Sequence, residues 1–127
     1  MKLDATVMRS MDKKDYRVLA AIETGMRSHS LVPAPIIASI SNLRCGGIEK
    51  VLSSLLRDKL ISHDRSCNYD GFRLTNVGQD ILALYTLKRR GIVSMLGDRI
   101  GTGKESDVYL GIGGGGDGAQ IVLKFHR

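Results

Sequence analysis

The stretch "RCGGIEKVLSSLLRDKLISHDRSCNYDGFRLTNVGQDIL", Arg44 to Leu82, changes its hydrophobic period twice. In its first part Ile48, Val51, Leu52, Leu55 and Leu56 recur at helical spacing, leaving Glu49, Lys50, Ser53, Ser54 and Arg57 facing outward. That pattern predicts a helix, with Gly46 and Gly47 as the turn before it. From Leu60 to Thr75 the chain reads as two short extended pieces around a polar turn containing Asp70-Gly71, a hairpin signal. Thr75 then stands where a hydroxyl caps a following helix, "NVGQDILALYTLKRR". Gly78 inside that helix lowers its propensity and marks a close packing approach.

Upstream, "SMDKKDYRVLAAIETGMRSH" predicts an amphipathic helix with Ser10 or Asp12 as its cap and Tyr16, Leu19, Ile22 and Met26 facing a core. "SLVPAPIIASISN" suits a loop and a short helix opened by Pro33 and Pro35, with Ile36, Ile37 and Ile40 buried. Three helices, a hairpin and a further helix is the order of a winged helix-turn-helix domain, in which the hairpin is the wing. The join "GFRLTNVGQDIL" resembles the wing-to-helix junction of such domains.

At 127 residues, 43% of them apolar, the chain has room for one ordinary domain or a small domain and part of another. No apolar run approaches the ~18 residues of a membrane span, and the N-terminus lacks a secretory signal's apolar core. Cys45 and Cys67 form no CxxC motif, so neither a zinc site nor a disulfide framework is expected. Reduced thiols in the cytoplasm, with passage through the nucleus left open, are the expectation. Residues 1–96 hold 15 Lys+Arg against 9 Asp+Glu, whereas residues 97–127 hold 4 of each. The whole excess of +6 therefore lies in the first part, which suits either an anionic partner or a plain soluble basic domain.

After residue 96 the character changes. Glycine dominates, and "DRIG", "DVYLGI" and "QIVLKF" predict three strands, the first two joined by a tight glycine turn. The expected organisation is a winged helix domain over 1–90, a short helical link over 91–96, and the start of a second domain over 97–127. Gly101-Thr102-Gly103-Lys104-Glu105-Ser106 has the glycines that let backbone N–H groups approach a phosphate. It is not a Walker loop, because Asp98 stands where that pattern needs glycine and Glu105 where it needs Ser or Thr. A strand follows it rather than a helix, which points to the glycine hairpin of protein kinases. "IVLK" then sits where the kinase lysine strand would, making Lys124 the phosphate-pairing candidate. One departure is Ser106 in place of the third glycine.

"GTGKESDVYLG" followed by "IVLKFHR" resembles the nucleotide loop and lysine strand of the RIO atypical protein kinases. A winged helix just before the loop, and the segments "VMRSMDKKDYRVLAAIETGMRSHSLVP" and "RLTNVGQDILAL", are similar to the second RIO subfamily in particular. The resemblance covers essentially the whole chain and implies an α+β architecture, a winged helix followed by the first three antiparallel strands of a kinase N-lobe. It implies serine/threonine kinase or ATPase chemistry on ATP, in maturation of the small (40S) ribosomal subunit. By position, Gly101, Gly103, Lys104, Glu105 and Ser106 would line the triphosphate, Ile100, Val108 and Val122 would sandwich the adenine, and Lys124 would hold the phosphates.

The basic winged helix would dock on the precursor small subunit, its RNA or its proteins. Lys50, Arg57, Lys59, Arg65 and Arg73 cluster on the helix and wing expected to meet phosphates, although each singly reads as a solvated charge. Asp107 is expected to be an ordinary surface acid, and His29, His63 and His126 are assigned no role. A kinase also needs a glutamate for its lysine, a catalytic aspartate and magnesium ligands, all of which follow the lysine strand. The sequence ends three residues past Lys124, so it is expected to be an N-terminal fragment that does not transfer phosphate, with no catalytic or metal residue of its own. The alternatives are a stand-alone winged-helix protein that binds nucleic acid, or one that docks only on protein.

Overall fold

The computed structural model describes residues 5–43, 45–65, 70–103, 106–116 and 118–126. Lys104 and Glu105, and the 66–69 connection, lie outside them. A short 3-10 helix, Ala5–Ser10, leads into helices α1 (Lys13–Gly25), α2 (Ala34–Ser41) and α3 (Cys45–Arg57). Strands β1 (Ile61–Arg65) and β2 (Asp70–Leu74), helix α4 (Asn76–Arg89), and strands β3 (Val93–Thr102), β4 (Ser106–Gly113) and β5 (Gln120–His126) complete the chain. The chain divides into two compact units, residues 1–82 and 83–127, with the boundary inside α4.

In the first unit Asp12 caps α1, accepting the N–H groups of Lys14 and Asp15, while the Asp15 carboxylate accepts the Asp12 N–H. This reciprocal box satisfies orphan donors at the helix start. Tyr16, Leu19 and Ile22 are buried as expected, together with Val18 and Ala21. α2 is rotated from the expected phase: Ile37 is fully buried, but Ala38 and Ser41 replace Ile36 and Ile40, and Ile40 is exposed. The buried Ser41 hydroxyl is satisfied by donating to the Ile37 carbonyl at 2.7 Å. Arg17 donates to the Ser41 carbonyl at the end of the same helix.

α3 buries Ile48, Val51, Leu52 and Leu55 and leaves Leu56 half-buried. The helix begins at Cys45, so Gly46 and Gly47 are its first turn rather than a turn before it. β1 and β2 pair antiparallel from Ile61↔Leu74 to Arg65↔Asp70. Asp70-Gly71 thus opens β2 instead of making the turn. Val32 adds a rung on the far side of the hairpin, exchanging both backbone hydrogen bonds with Phe72.

The expected cap of α4 is present: the Gly78 N–H donates to the Thr75 hydroxyl at 3.1 Å. The second unit holds a three-stranded antiparallel sheet in the order β3-β4-β5. Residues 91–96, expected as a helical link, are turn and strand. Val93, Met95 and Leu96 pair with Gly113, Ile112 and Gly111, so their backbone groups are satisfied by a ladder. Tyr109 and Phe125 are buried and meet edge to face, their ring centroids 5.6 Å apart.

Candidate nucleotide site

The register sets one row across the sheet. Gly101 pairs with Val108, and Val108 pairs with Lys124. At ~4.8 Å between neighbouring strands, the lysine backbone stands roughly 10 Å from the glycine backbone. Val122 pairs with Leu110, two residues along the same strands. Directly paired residues share a face and the faces alternate along a strand. Val108, Leu110, Val122 and Lys124 therefore lie on one face, and Tyr109, Leu123 and Phe125 on the other.

The second face supplies the buried rings. On the first, Val108 and Leu110 are half-buried, Lys124 is exposed, and Val122 is 62% exposed. Ile100 falls at a register shift between the Arg99–Tyr109 and Gly101–Val108 pairs and is 54% exposed. Gly101, Val108 and Lys124 are thus in one line, with Val122 beside them and Ile100 at the edge of β3.

At the tip, the Gly103 N–H donates to the Ser106 carbonyl at 2.8 Å, closing the hairpin around a two-residue connection. That connection is Lys104-Glu105, so the placement expected for these two falls outside the described residues. One rung inward, the Thr102 hydroxyl donates to the Asp107 carboxylate at 2.9 Å. Asp107 is therefore more than a surface acid, because it ties the two strands together beneath the tip. A Thr and an Asp flanking a glycine hairpin symmetrically were the signal for this pairing.

Among the described residues, internal packing demands neither loop glycine. A β-carbon on Gly101 would lie 3.9 Å from its nearest described neighbour, and one on Gly103 would lie 3.7 Å away, both ordinary contacts. Neither residue has the positive φ that favours glycine. What bare backbone does provide here is close approach for a ligand.

The expected anion-contacting residues are less uniform. Lys50, Arg57 and Lys59 are exposed at α3 and its end, with Arg57 4.0 Å from Asp58. On the wing, Arg65 lies 3.7 Å from Asp70 and Arg73 lies 3.4 Å from Asp64. The two strands carry two arginines and two aspartates, so the wing is charge-balanced. His63, assigned nothing from sequence, stacks on Phe72 and stands 3.4 Å from Asp70. Among the described residues no cluster of three His, Cys, Asp or Glu side chains is placed to hold a metal, and no helix is long and apolar enough to cross a membrane.

The family model for the N-terminal region of Rio2 matches residues 8–90. The chain belongs to the Rio2 family. Over its whole length it is 48% identical to a Dictyostelium discoideum serine/threonine-protein kinase rio2, of which it spans 24%. It is 45% identical over 128 aligned residues to the Saccharomyces cerevisiae serine/threonine-protein kinase RIO2, of which it spans 30%. Among solved structures, the Chaetomium thermophilum Rio2 kinase in an ADP/Mg2+-phosphoaspartate complex matches with a TM-score of 0.91 and 41% identity, over 99% of this chain and 37% of that one. The chain thus corresponds to the N-terminal region of Rio2 serine/threonine kinases and spans about a quarter to a third of those two curated relatives. Its winged helix and its antiparallel kinase-type sheet are accounted for together.

Proposed function

We propose that the 83–127 unit forms part of an ATP site of a RIO serine/threonine kinase or ATPase. The observation that carries this reading is the Gly101–Val108–Lys124 row. The glycine hairpin would present backbone N–H groups to the triphosphate, joined by Lys104, Glu105 and Ser106. Lys124 would pair with the phosphates from the neighbouring strand. Ile100, Val108 and Val122 would cover the adenine, and the exposure of Ile100 and Val122 suits residues that await an apolar ligand. ADP and Mg2+ in the Chaetomium relative support ATP and magnesium for the family.

The 127-residue chain taken by itself is proposed to bind nucleotide without transferring phosphate, since the catalytic aspartate and magnesium ligands implied by the family come after the lysine strand. The winged helix is proposed to dock on the precursor small ribosomal subunit, through RNA or protein, with Lys50, Arg57 and Lys59 the better candidates and Arg65 and Arg73 contributing less. A cytoplasmic site of action accompanies that role. Incubating the chain with labelled ATP tests the reading: saturable retention without turnover is expected. Sustained turnover at enzyme-like rates, or no retention, would contradict it.

A further inference from the structure

The charge excess is not concentrated where the winged helix would suggest. The wing sums to zero, whereas Lys88, Arg89 and Arg90 place three cations in succession at the end of α4, all exposed. Among the described residues none of the three takes part in an ion pair, unlike Arg57, Arg65 and Arg73. Cations at a helix C-terminus have an ordinary use in offsetting its dipole. That dipole amounts to only about half a negative charge, so most of the cluster's charge is left for another partner.

The cluster also has shape. Tyr85, Thr86, Arg89 and Arg90 line a cleft of about 250 Å³, and the Arg89 guanidinium lies over the Tyr85 ring, 5.6 Å from its centroid. An arginine held against an aromatic ring offers a flat, cationic stacking surface. Stacking on such surfaces is sequence-tolerant because every base has a π-face, and flanking cations can follow the phosphates. A duplex keeps its bases stacked inside and has none to offer a cleft this small. An acidic peptide would satisfy the cations but make no use of the ring.

We propose that the end of α4 is a binding site for an unpaired nucleic-acid strand, with Tyr85 and Arg89 stacking on a base and Lys88 and Arg90 meeting its phosphates. The site is separate from the glycine hairpin and from the winged-helix cations, so it stands or falls independently of the ATP reading.

Fluorescence anisotropy of a short labelled oligouridine on the full chain tests it. Lys88→Gln/Arg90→Gln should weaken binding ~10-fold and lower the slope of log affinity against log salt by about 1.4, at ~0.7 per lost phosphate contact. Tyr85→Leu should weaken binding at least ~5-fold with the slope unchanged, and Tyr85→Phe should restore it. Lys13→Gln/Lys14→Gln, which removes the same charge from the start of α1, should change affinity less than ~2-fold. Thermal melts of each variant identify any that fails to fold, and the two double variants remain comparable because all four residues are exposed. The proposal is overturned if the α1 pair costs as much as the α4 pair, if Tyr85→Leu binds normally, or if duplex or polyglutamate competes as well as the single strand.

Discussion

The Leu60 carbonyl lies so close to Gly78 that a β-carbon built on the glycine would stand 1.9 Å from the oxygen. That oxygen cannot easily retreat, because it also accepts the Thr75 N–H at 3.1 Å. In an open helix interior Gly→Ala stabilises by up to ~1 kcal/mol. Here Gly78→Ala must push the end of the α3–β1 connection away from α4, and a loss of roughly 3 kcal/mol is expected. Denaturant unfolding decides the sign, and a stabilised variant would show that the contact is loose.

Thr75 ties three segments at one hydroxyl, which lies 2.8 and 3.0 Å from the carbonyls of Lys59 and Leu60 and accepts the Gly78 N–H. Thr75→Val keeps the shape and removes the cap, with an expected cost of ~1–2 kcal/mol. Thr75→Ser should retain most of that stability. A loss for Thr75→Ser with none for Thr75→Val would mean that the methyl group, not the hydroxyl, matters.

Asp15 gives a pH signature. Burial, the largest cause, raises its pKa from the ordinary carboxylate value; the backbone hydrogen bond from Asp12 opposes this, and repulsion from Asp12 and Asp58 adds to it. A carboxyl with a raised folded-state pKa binds more protons folded than unfolded, so its penalty is present above that pKa and fades as pH falls through it. Asp15→Asn keeps an acceptor for the Asp12 N–H and removes the charge. Its stability relative to the unchanged chain should be highest near neutral pH and decline as pH falls toward 3.8, the ordinary value. A pH-independent difference, measured by denaturant unfolding across this range, would refute the assignment.

The two units should also differ in local stability. α1 and α3 each present a buried face, whereas β3 is exposed along most of its length and a three-stranded sheet alone is marginal. Hydrogen exchange should therefore be slower in α1 and α3 than in β3–β5. Equal protection would contradict this.

The order of elements was legible because period and capping agree with the final packing: Asp12, Thr75 and the apolar stripe of α3 act where their chemistry suggests. Gly78 was legible as a close contact for the same reason. The phase of α2 was not, because eight largely apolar residues offer several equivalent buried faces and only packing selects Ile37, Ala38 and Ser41. The start of β3 was missed because its stretch is glycine-flanked and its partners, Gly111 to Gly113, lie in a later strand. In the candidate site the sequence placed Gly101 in the turn between the first two strands and Lys124 on the third. It could not show that Val108 sits directly between them, since register depends on bulges in β3. The pairing of the wing's charges was equally hidden, because Asp64 and Asp70 meet their arginines only across the hairpin.

Whether the Gly101–Val108–Lys124 row contacts ATP is decided by a 1H-15N NMR titration of the chain with ATP. The expected result is that the amides of Gly101, Gly103, Ser106 and Lys124 shift together and saturably, and that Lys124→Ala weakens the apparent affinity ~10-fold, or about 1.4 kcal/mol. Shifts confined to other residues, or an affinity unchanged by both Lys124→Ala and Gly101→Val, would contradict it.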